Sequence, residues 1–352
     1  MSRRRGPFAP STDRTQCSPS AALAPFVRGA ADELPSYAQL RRRTDAPAES
    51  AWGLFGERDE VGTLNLAGPE QARAAAACVH TGQTLCLDYP LTAFDPPIAP
   101  TRGALRHTIF SRHRAHRDDV LDGFYPQAAS QLDGLRHRRH QEHGFYNGTP
   151  DAEITEGSPA LGIQRWAERG IVTRGLVLDV SRFRRESGRP IDHEGGEHLD
   201  ATALEDALAA QAVRPRPGDA LLLHTGWTQW YLGLDPAAQR RVRDNRRFTG
   251  VDQDHDVLAW LWDHRFAVIA SDTYAFEALP ARDDSPFGGT TDHGMMHQQL
   301  IAMLGFAVGE LWRLGPLARA SADDGRWTCL LVAQPLNLPG GVGSPANATA
   351  VR

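Results

Sequence analysis

The chain has 352 residues, 41% of them hydrophobic, and a formal net charge of −5 at pH 7. This size and hydrophobic content are sufficient for one large core. The acidic balance argues against a nucleic-acid partner, because binding to phosphates depends on an excess of Lys and Arg. No apolar stretch approaches the roughly 20 residues needed to span a bilayer, so we expect no membrane partner either.

Residues 1–45 are rich in Pro, Ser, Ala and Arg and have no sustained hydrophobic periodicity. We predict that they form a disordered or extended arm and that residues 46–352 form a single domain. The spacing of the cysteines argues against a metal cluster and a disulfide framework, and it favours a reducing, cytoplasmic location. These cysteines are Cys17, Cys78, Cys86 and Cys329.

The first elements are indicated by local signals between residues 69 and 116. The segment that begins at Pro69 predicts a helix, because Pro is favoured in a first helical turn and Gly82 lies just past the expected end. Residues 83–90 alternate apolar and polar side chains and predict a strand, and residues 106–110 predict a second one. His113 and His116 then lie in a charged run that we interpret as a solvated loop.

The most unusual stretch is 124–148, FYPQAASQLDGLRHRRHQEHGFYNG, whose core is 130–137. It concentrates carboxylates, amides, histidines and arginines between apolar segments. A core strand does not have this composition. Such a density of polar, proton-active groups predicts a loop or strand end that lines a functional site.

Strands and helices alternate in the second half, which predicts one α/β domain. Asp200 is a good N-cap for one of the helices. The strands are predicted at 175–180, 220–227, 266–272 and 327–335, and the helices at 161–170, 201–211 and 255–264. Residues 295–314 predict a helix, a turn near Gly305 and a second, polar-tipped segment, and residues 340–345 predict a tight loop.

The unusual stretch resembles the signature His-x-Gly-Thr-His-x-Asp-x-x-x-His of the cyclase superfamily, which includes kynurenine formamidase and isatin hydrolase. Asp133 and His137 match its last two named positions, and Ser130 matches the Thr. Gln127 and Gln131 stand in place of the two leading histidines. Further segments similar to the family extend the resemblance over residues 52–347.

The resemblance implies an α/β fold of the kynurenine formamidase-like, swivelling β/β/α type. It has a single domain with a curved or barrel-like β-sheet flanked by helices. It also implies a homodimer or homotetramer that acts on a small-molecule substrate.

The resemblance implies that Asp133 binds a divalent metal and that His137 is the general acid or base. The residue types agree, because an imidazole titrates near neutral pH and a carboxylate four residues away can converge on the same centre. Read without the resemblance, the same residues could be a polar loop in which Asp133 and His137 pair with each other or with Arg136.

The composition of the metal site is an open question in the sequence. Amide oxygens such as those of Gln127 and Gln131 are neutral, weak ligands for Zn²⁺ or Mn²⁺. His297 and Glu310 fall where the family often places further ligands, so the expected set is Asp133, Gln131, His297 and Glu310. The alternative is metal-free acid–base catalysis by Asp133, His137, His297 and Glu310.

Several polar and aromatic residues are candidates for binding the substrate, although the aromatic ones suit a core equally well. The candidates are Gln127, His140, Phe145, Tyr146 and Trp227. Asp272, Glu277 and the pair Asp292–His293 are weaker candidates for the surroundings of the site.

The function that we expect is hydrolysis or cyclisation of a carbonyl substrate: a cyclic amide, aryl formamide, lactone or polyketide-like compound. Its reaction would use a water activated by a metal or by His137. Two alternatives are a metal-independent cyclase, lyase or isomerase that uses Asp133 and His137, and a binding protein without catalysis. The sequence has no Gly-rich phosphate loop after a strand and no Gly-x-Ser-x-Gly elbow, which argues against nucleotide binding and serine-hydrolase chemistry.

Overall fold

A curled nine-stranded sheet is the centre of the computed structural model, which describes residues 33–287 and 295–352. Its strand order is β1-β13-β11-β5-β7-β9-β10-β4-β12. The strands are β1 (Thr84–Cys86), β4 (Gln131–Asp133), β5 (Ile171–Asp179), β7 (Ala220–His224), β9 (Val268–Ser271), β10 (Ala307–Glu310), β11 (Thr328–Ala333), β12 (Gly343–Pro345) and β13 (Ala348–Val351). This architecture confirms the predicted single-domain α/β fold with a curved sheet.

The middle of the sheet is parallel and both of its edges are antiparallel. β5, β7, β9 and β10 pair in parallel, and β4 then pairs antiparallel with both β10 and β12. Every residue of β7 and β9 is buried. Their unbroken apolar runs are typical of parallel strands that are covered on both faces.

The helices cover the sheet and begin where the sequence provides a cap. Asp200 accepts a hydrogen bond from the backbone N–H of Ala203 at 2.7 Å, as its predicted N-cap role requires. The helices are α1 (Tyr37–Leu40), α2 (Pro69–Ala76), α3 (Gln164–Arg169), α4 (Val180–Glu186), α5 (Ala201–Ala210), α6 (Trp227–Gly233), α7 (Pro236–Asn245), α8 (His255–Asp263) and α9 (Gly315–Asp324). In the described ranges, no helix is long and apolar enough to cross a membrane.

The ordered domain begins earlier than the predicted boundary at residue 46. Tyr37 and Leu40 of α1 are buried in the main core. The indole of Trp262 donates to the carbonyl of Pro35 at 2.8 Å, which fixes this segment against α8. Residues 33–45 therefore belong to the domain, and the rest of the predicted arm lies outside the described residues.

Three segments differ from their predictions for local reasons. Gly226, with a φ of 85°, ends the strand signal, so Trp227 begins α6 instead of ending a strand. Part of the predicted helix after residue 295 is a π-helix, Gln298–Met303, a geometry often found at functional sites. The end of the predicted loop 340–345 is β12, which pairs with β4.

A separate two-stranded hairpin projects before the unusual stretch. It consists of β2 (Arg106–Phe110) and β3 (Asp118–Asp122), and every residue in both strands is exposed. His113 and His116 lie in its exposed turn, which confirms the prediction of a solvated loop. A third pair, β6 (His198–Leu199) and β8 (Gly250–Val251), is parallel and short.

Candidate active site

The register of β4 and β10 brings three polar side chains to one face of the sheet. Glu310 lies directly opposite Gln131, and Val308 lies opposite Asp133. Residues two apart on a strand share a face, so Gln131, Asp133 and Glu310 converge. All three are buried, at 5% exposure or less. A buried polar face of this kind requires partners for each group.

His297, the residue before the π-helix, lies at the centre of these carboxylates. Its Nε2 is 3.0 Å from Oε1 of Glu310 and 3.7 Å from Oδ2 of Asp133. Its Nδ1 is 2.6 Å from Oε2 of Glu277, and its backbone N–H donates to the same carboxylate at 3.1 Å. Glu277, which the sequence suggested as a substrate contact, is fully buried and holds His297 in place.

His137 is the most accessible member of the cluster. Its side chain is 26% exposed, whereas the side chains of Asp133 and His297 are almost completely buried. A turn after β4, with the N–H of His137 donating to the carbonyl of Gly134, returns the imidazole towards Asp133. Nε2 of His137 lies 3.9 Å from Oδ2 of Asp133. His137 is therefore the group that a bound molecule would reach first.

The amide of Gln127 joins Asp133 to His137. Its Nε2 donates to Oδ1 of Asp133 and lies 3.0 Å from Nδ1 of His137. A carboxylate accepts hydrogen bonds, so the amide must present its NH₂ group on this side. Because an amide nitrogen only donates, Nδ1 of His137 is the acceptor, and the neutral imidazole carries its proton on Nε2.

Gln131 lies between Asp133 and Arg102, an arginine that the sequence did not suggest as part of the site. Its Nε2 is 3.4 Å from both carboxylate oxygens of Asp133, and its Oε1 accepts from Nη1 of Arg102 at 3.2 Å. Nη1 of Arg102 also donates to the carbonyl of Gln127. Arg102 lies about thirty positions before the signature in a Pro-rich connection, and no local pattern distinguishes it from other arginines.

The two histidines of the cluster, His137 and His297, differ in their expected protonation. Burial lowers the pKa of His137, and the charge of Asp133 opposes this only in part. Burial also opposes the protonation of His297, but Glu277, Asp133 and Glu310 outweigh it and raise its pKa well above the usual value. We therefore expect a neutral His137 and a protonated His297 at neutral pH in the metal-free protein.

The two carboxylates on the sheet are also different from each other. Burial would raise the pKa of Asp133, but His137, His297 and Arg102 outweigh it and hold this pKa well below its usual range. For Glu310, burial and the charge of Asp133 both raise the pKa. Asp133 is thus the permanent anion of the site, and Glu310 is the carboxyl group that gains or loses a proton more readily.

The donor set fits a divalent metal ion. Possible ligand atoms of Asp133, His137 and His297 lie within 4.8 Å of one another, and Oε1 of Glu310 lies 3.0 Å from His297. Because Nδ1 of His137 is engaged by Gln127, the groups free to bind the ion are Asp133, His297 and Glu310. The raised pKa of the buried His297 means that this position favours positive charge. A carboxylate on the second nitrogen, as Glu277 provides, is the usual support of a metal-binding histidine. Gln131 directs its oxygen towards Arg102, and its predicted ligand role stays a prediction.

The predicted aromatic contacts lie mostly in the core. Tyr146 is fully buried and its hydroxyl donates to Asp59 at 3.0 Å, and Trp227 is fully buried and stacks on Tyr231 at 5.0 Å. Both rings are buried in the core, and their predicted roles in substrate binding stay predictions. Phe145, 9% exposed, also packs in the main core.

The remaining candidates are His140 and the pair Asp292–His293. His140 is half-buried, stacks on His143 at 4.7 Å and accepts backbone N–H groups at its Nδ1, so a role in substrate binding stays a prediction. The pair Asp292–His293 lies outside the described residues. A cleft at the base of the hairpin adjoins the segment that carries Arg102. Its walls include the apolar Leu91, Phe94, Leu105, Phe124 and Tyr125 and the polar Thr92 and Asp95.

Comparisons with known proteins agree with the geometry. Residues 89–278, more than half of the chain, match a family model described as "Putative cyclase". A crystal structure of a novel cyclase is 32% identical, with a TM-score of 0.74, and the match covers 86% of this chain and 99% of that one. Isatin hydrolase A from Labrenzia aggregata, bound to benzyl benzoate, is 15% identical with a TM-score of 0.52, covering 78% and 94%, and supports the fold alone.

A curated protein from Pseudomonas aeruginosa, described as a probable coniferyl aldehyde dehydrogenase, is 26% identical over 243 residues. The match covers 67% of this chain but only 44% of that protein, so its described activity does not carry over. The range matched by the family model, 89–278, includes Asp133 and His137. The chain therefore belongs to the putative cyclase family.

Proposed function

We propose that this protein hydrolyses a carbonyl compound such as a cyclic amide, an aryl formamide or a lactone. The observation that carries the proposal is the partly exposed His137 beside the buried cluster of Asp133, His297 and Glu310. Ring closure of the corresponding open form uses the same groups in reverse, so hydrolase and cyclase activity are two directions of one proposed reaction.

The chain's own residues have distinct roles in this proposal. Asp133, His297 and Glu310 would hold a divalent ion such as Zn²⁺ or Mn²⁺, with Glu277 orienting His297. Such an ion, when bound there, would supply a water of lowered pKa and would polarise a carbonyl group. Gln127 keeps the proton of His137 on Nε2. This N–H group of His137 would donate to the carbonyl oxygen, which becomes negative when water adds to the carbonyl carbon.

The role of His137 differs from simple base catalysis. A neutral imidazole has one acceptor nitrogen. In His137 this nitrogen is Nδ1, which already accepts from the amide of Gln127, so no lone pair is free to take a proton from water. A neutral imidazole is nevertheless a good hydrogen-bond donor to a developing oxyanion, because it keeps its N–H group at neutral pH. In hydrolysis, the C–N or C–O bond then breaks and the leaving atom receives the proton that water gives up.

A second candidate function is a metal-independent cyclase, lyase or isomerase. It is favoured by the amides of Gln127 and Gln131, which donate to Asp133 where the family signature has histidines. In that case Glu310, with its raised pKa, would move the proton and His137 would hold the carbonyl oxygen.

Elemental analysis separates the two candidates, provided that the protein is purified without chelators or a polyhistidine tag. Near-stoichiometric Zn or Mn that is lost in His297→Ala, together with turnover of isatin, formanilide or dihydrocoumarin, supports the metal-dependent hydrolase. His137→Ala should lower that turnover about 100-fold or more, whereas His113→Ala in the hairpin turn should not change it. Metal-free protein that gains no activity with added Zn²⁺ or Mn²⁺ would contradict it and favour the second candidate.

A further inference from the structure

Arg102 has an unused set of hydrogen-bond donors beside the site. Its Nη1 donates to the carbonyl of Gln127 and to Oε1 of Gln131, and both acceptors are neutral. Within residues 33–287 and 295–352, Nε and Nη2 have no hydrogen-bond acceptor, and no carboxylate forms an ion pair with the guanidinium. These nitrogens are not among the buried atoms without a partner, so they reach solvent, where an anion can replace water as their acceptor.

The unused donors have the geometry that a carboxylate requires. Nε–H and one N–H of Nη2 lie parallel along one edge of the planar guanidinium group. Two parallel N–H groups match the two oxygens of a carboxylate and form a bidentate pair. Nη1, on the other side, is fixed by the protein. The free edge is therefore held in position before any ligand binds.

The chain segment that follows Arg102 leads from the charged cluster to a mainly apolar surface. Its guanidinium is separated from Asp133 by the amide of Gln131 alone. The next residues, 103–105, form one wall of the cleft at the base of the hairpin, which Phe94 and Tyr125 also line. An anion bound at Arg102 can thus be attached to an apolar or aromatic body.

We propose that Arg102 is a carboxylate-binding residue and that the ligands of this site are apolar-bodied molecules with a carboxylate. This inference rests on the proposed function for the identity of the reaction. The carboxylate has two sources: the substrate can carry it away from the reacting carbonyl, or ring opening of a neutral cyclic amide or lactone can generate it in the product.

Isothermal titration with benzoate and its neutral isostere benzamide tests the binding step without any turnover. The wild-type protein should bind benzoate about tenfold or more tightly than benzamide, as expected for a charge-assisted pair. Arg102→Gln should abolish this preference, and Arg102→Lys, which keeps the charge but not the planar edge, should retain part of it. Circular dichroism and the urea midpoint show whether each variant is folded.

Arg138→Gln is the matched control. Arg138 also lies close enough to His137 to influence its pKa, but it forms no hydrogen bond with the described residues of the cluster. Its removal therefore tests for a general loss of positive charge. The benzoate preference should survive in Arg138→Gln. Equal binding of benzoate and benzamide by the wild type would overturn the proposal. An equal loss of preference in Arg102→Gln and Arg138→Gln would do so too.

Kinetics with two probes distinguish the sources of the carboxylate. If the substrate carries it, Arg102→Gln raises KM for N-formylanthranilate and leaves KM for formanilide unchanged. If the product carries it, Arg102→Gln weakens inhibition by the ring-opened product of isatin. Benzoate binding that depends on Arg102 in a protein without hydrolytic activity would contradict the proposed function and leave the role of Arg102 intact.

Discussion

The side-chain nitrogen of Gln127 lies 3.0 Å from Nδ1 of His137. The same amide donates to Asp133, so its orientation is determined by the carboxylate and not by the histidine. The consequence is that Asp133, through Gln127, selects which nitrogen of His137 carries the proton. In this chain a residue that replaces a signature histidine thus sets the chemistry of the histidine that remains.

Replacing Gln127 by Ala should therefore change the state of His137 without removing it. We expect kcat for the substrate found by screening to fall about 10- to 100-fold, the usual effect of losing a group that orients a site histidine. Nitrogen-15 NMR of the histidines should show the His137 ring changing from the Nε2–H form to a mixture of both tautomers.

Gln83→Ala is the control for this variant, because Gln83 is exposed at the start of β1. It should leave both the rate and the spectrum unchanged. A Gln127→Ala protein whose His137 stays entirely in the Nε2–H form would show that the amide does not determine the tautomer.

The ion pair of His297 and Glu277 should contribute strongly to stability in the metal-free protein. Both side chains are buried and 2.6 Å apart, and breaking such a pair costs about 3–5 kcal/mol. Glu277→Gln should lower the free energy of unfolding by that amount and weaken metal binding about 10- to 100-fold. Urea unfolding and titration with Zn²⁺ measure the two effects.

Glu186→Gln is a suitable comparison, because Glu186 forms an exposed pair with Arg182 on α4. Removing that pair should cost only about 0.5 kcal/mol. Similar losses for Glu186→Gln and Glu277→Gln would mean that the buried pair is not an important source of stability.

Much of the fold was predictable because local sequence patterns indicate its central strands and helices. The continuous apolar runs of β5 and β7 follow from burial on both faces, and Asp200 marks the start of α5. The strands β4 and β12 were not predictable, because each has only three residues and their composition is polar or Gly-rich. They are strands because neighbouring strands pair with them.

The candidate site was predictable only in part. Asp133 and His137 were indicated by a dense polar stretch, and the resemblance pointed to His297 and Glu310. The contacts of Arg102 and Glu277 could not be inferred, since their partners lie 25 to 29 and 20 residues away and only the folded chain brings them together. An aromatic residue near a polar stretch, such as Tyr146, can either pack in the core or contact a ligand. The sequence alone does not distinguish these two roles.

A second buried histidine should make stability depend on pH. Burial would lower the pKa of His224, but the hydrogen bond to Asp179 at 2.7 Å and the charge of Asp272 outweigh it and raise the pKa to about 9. A raised pKa stabilises the folded state fully below the unfolded pKa, near 6.5, and this contribution is lost as the pH rises through about 9. We expect a loss of at most about 3 kcal/mol between these values.

Urea unfolding at several pH values between 6 and 10 measures this loss. His224→Gln should flatten the dependence over that window, even though its stability at pH 6 is lower. His107→Gln, which removes an exposed histidine paired with Asp119 on the hairpin, should leave the slope unchanged. A slope that persists in His224→Gln would assign the pH dependence to other groups.

The exposed hairpin is the surface on which we expect a second copy of the chain to bind. A two-stranded hairpin alone is marginally stable in water, and this one exposes Ile109 at 65% and Leu121 at 41% on one face. The expected homodimer or homotetramer would bury these side chains. Ile109→Lys should then raise the dissociation constant of the assembly about tenfold or more, because the buried apolar contact is lost and a charge is introduced.

Light scattering coupled to size exclusion measures this change over a range of concentrations. Thr108→Lys introduces the same charge on the opposite face of β2, because neighbouring residues of a strand point to opposite sides. If the face of Ile109 and Leu121 forms the interface, Thr108→Lys leaves the assembly intact while Ile109→Lys dissociates it. Because Phe110 and Val120 are exposed on the face of Thr108, equal effects of the two variants would mean that association does not depend on the face of Ile109 and Leu121. A monomeric wild-type protein would contradict the expectation of a homodimer or homotetramer.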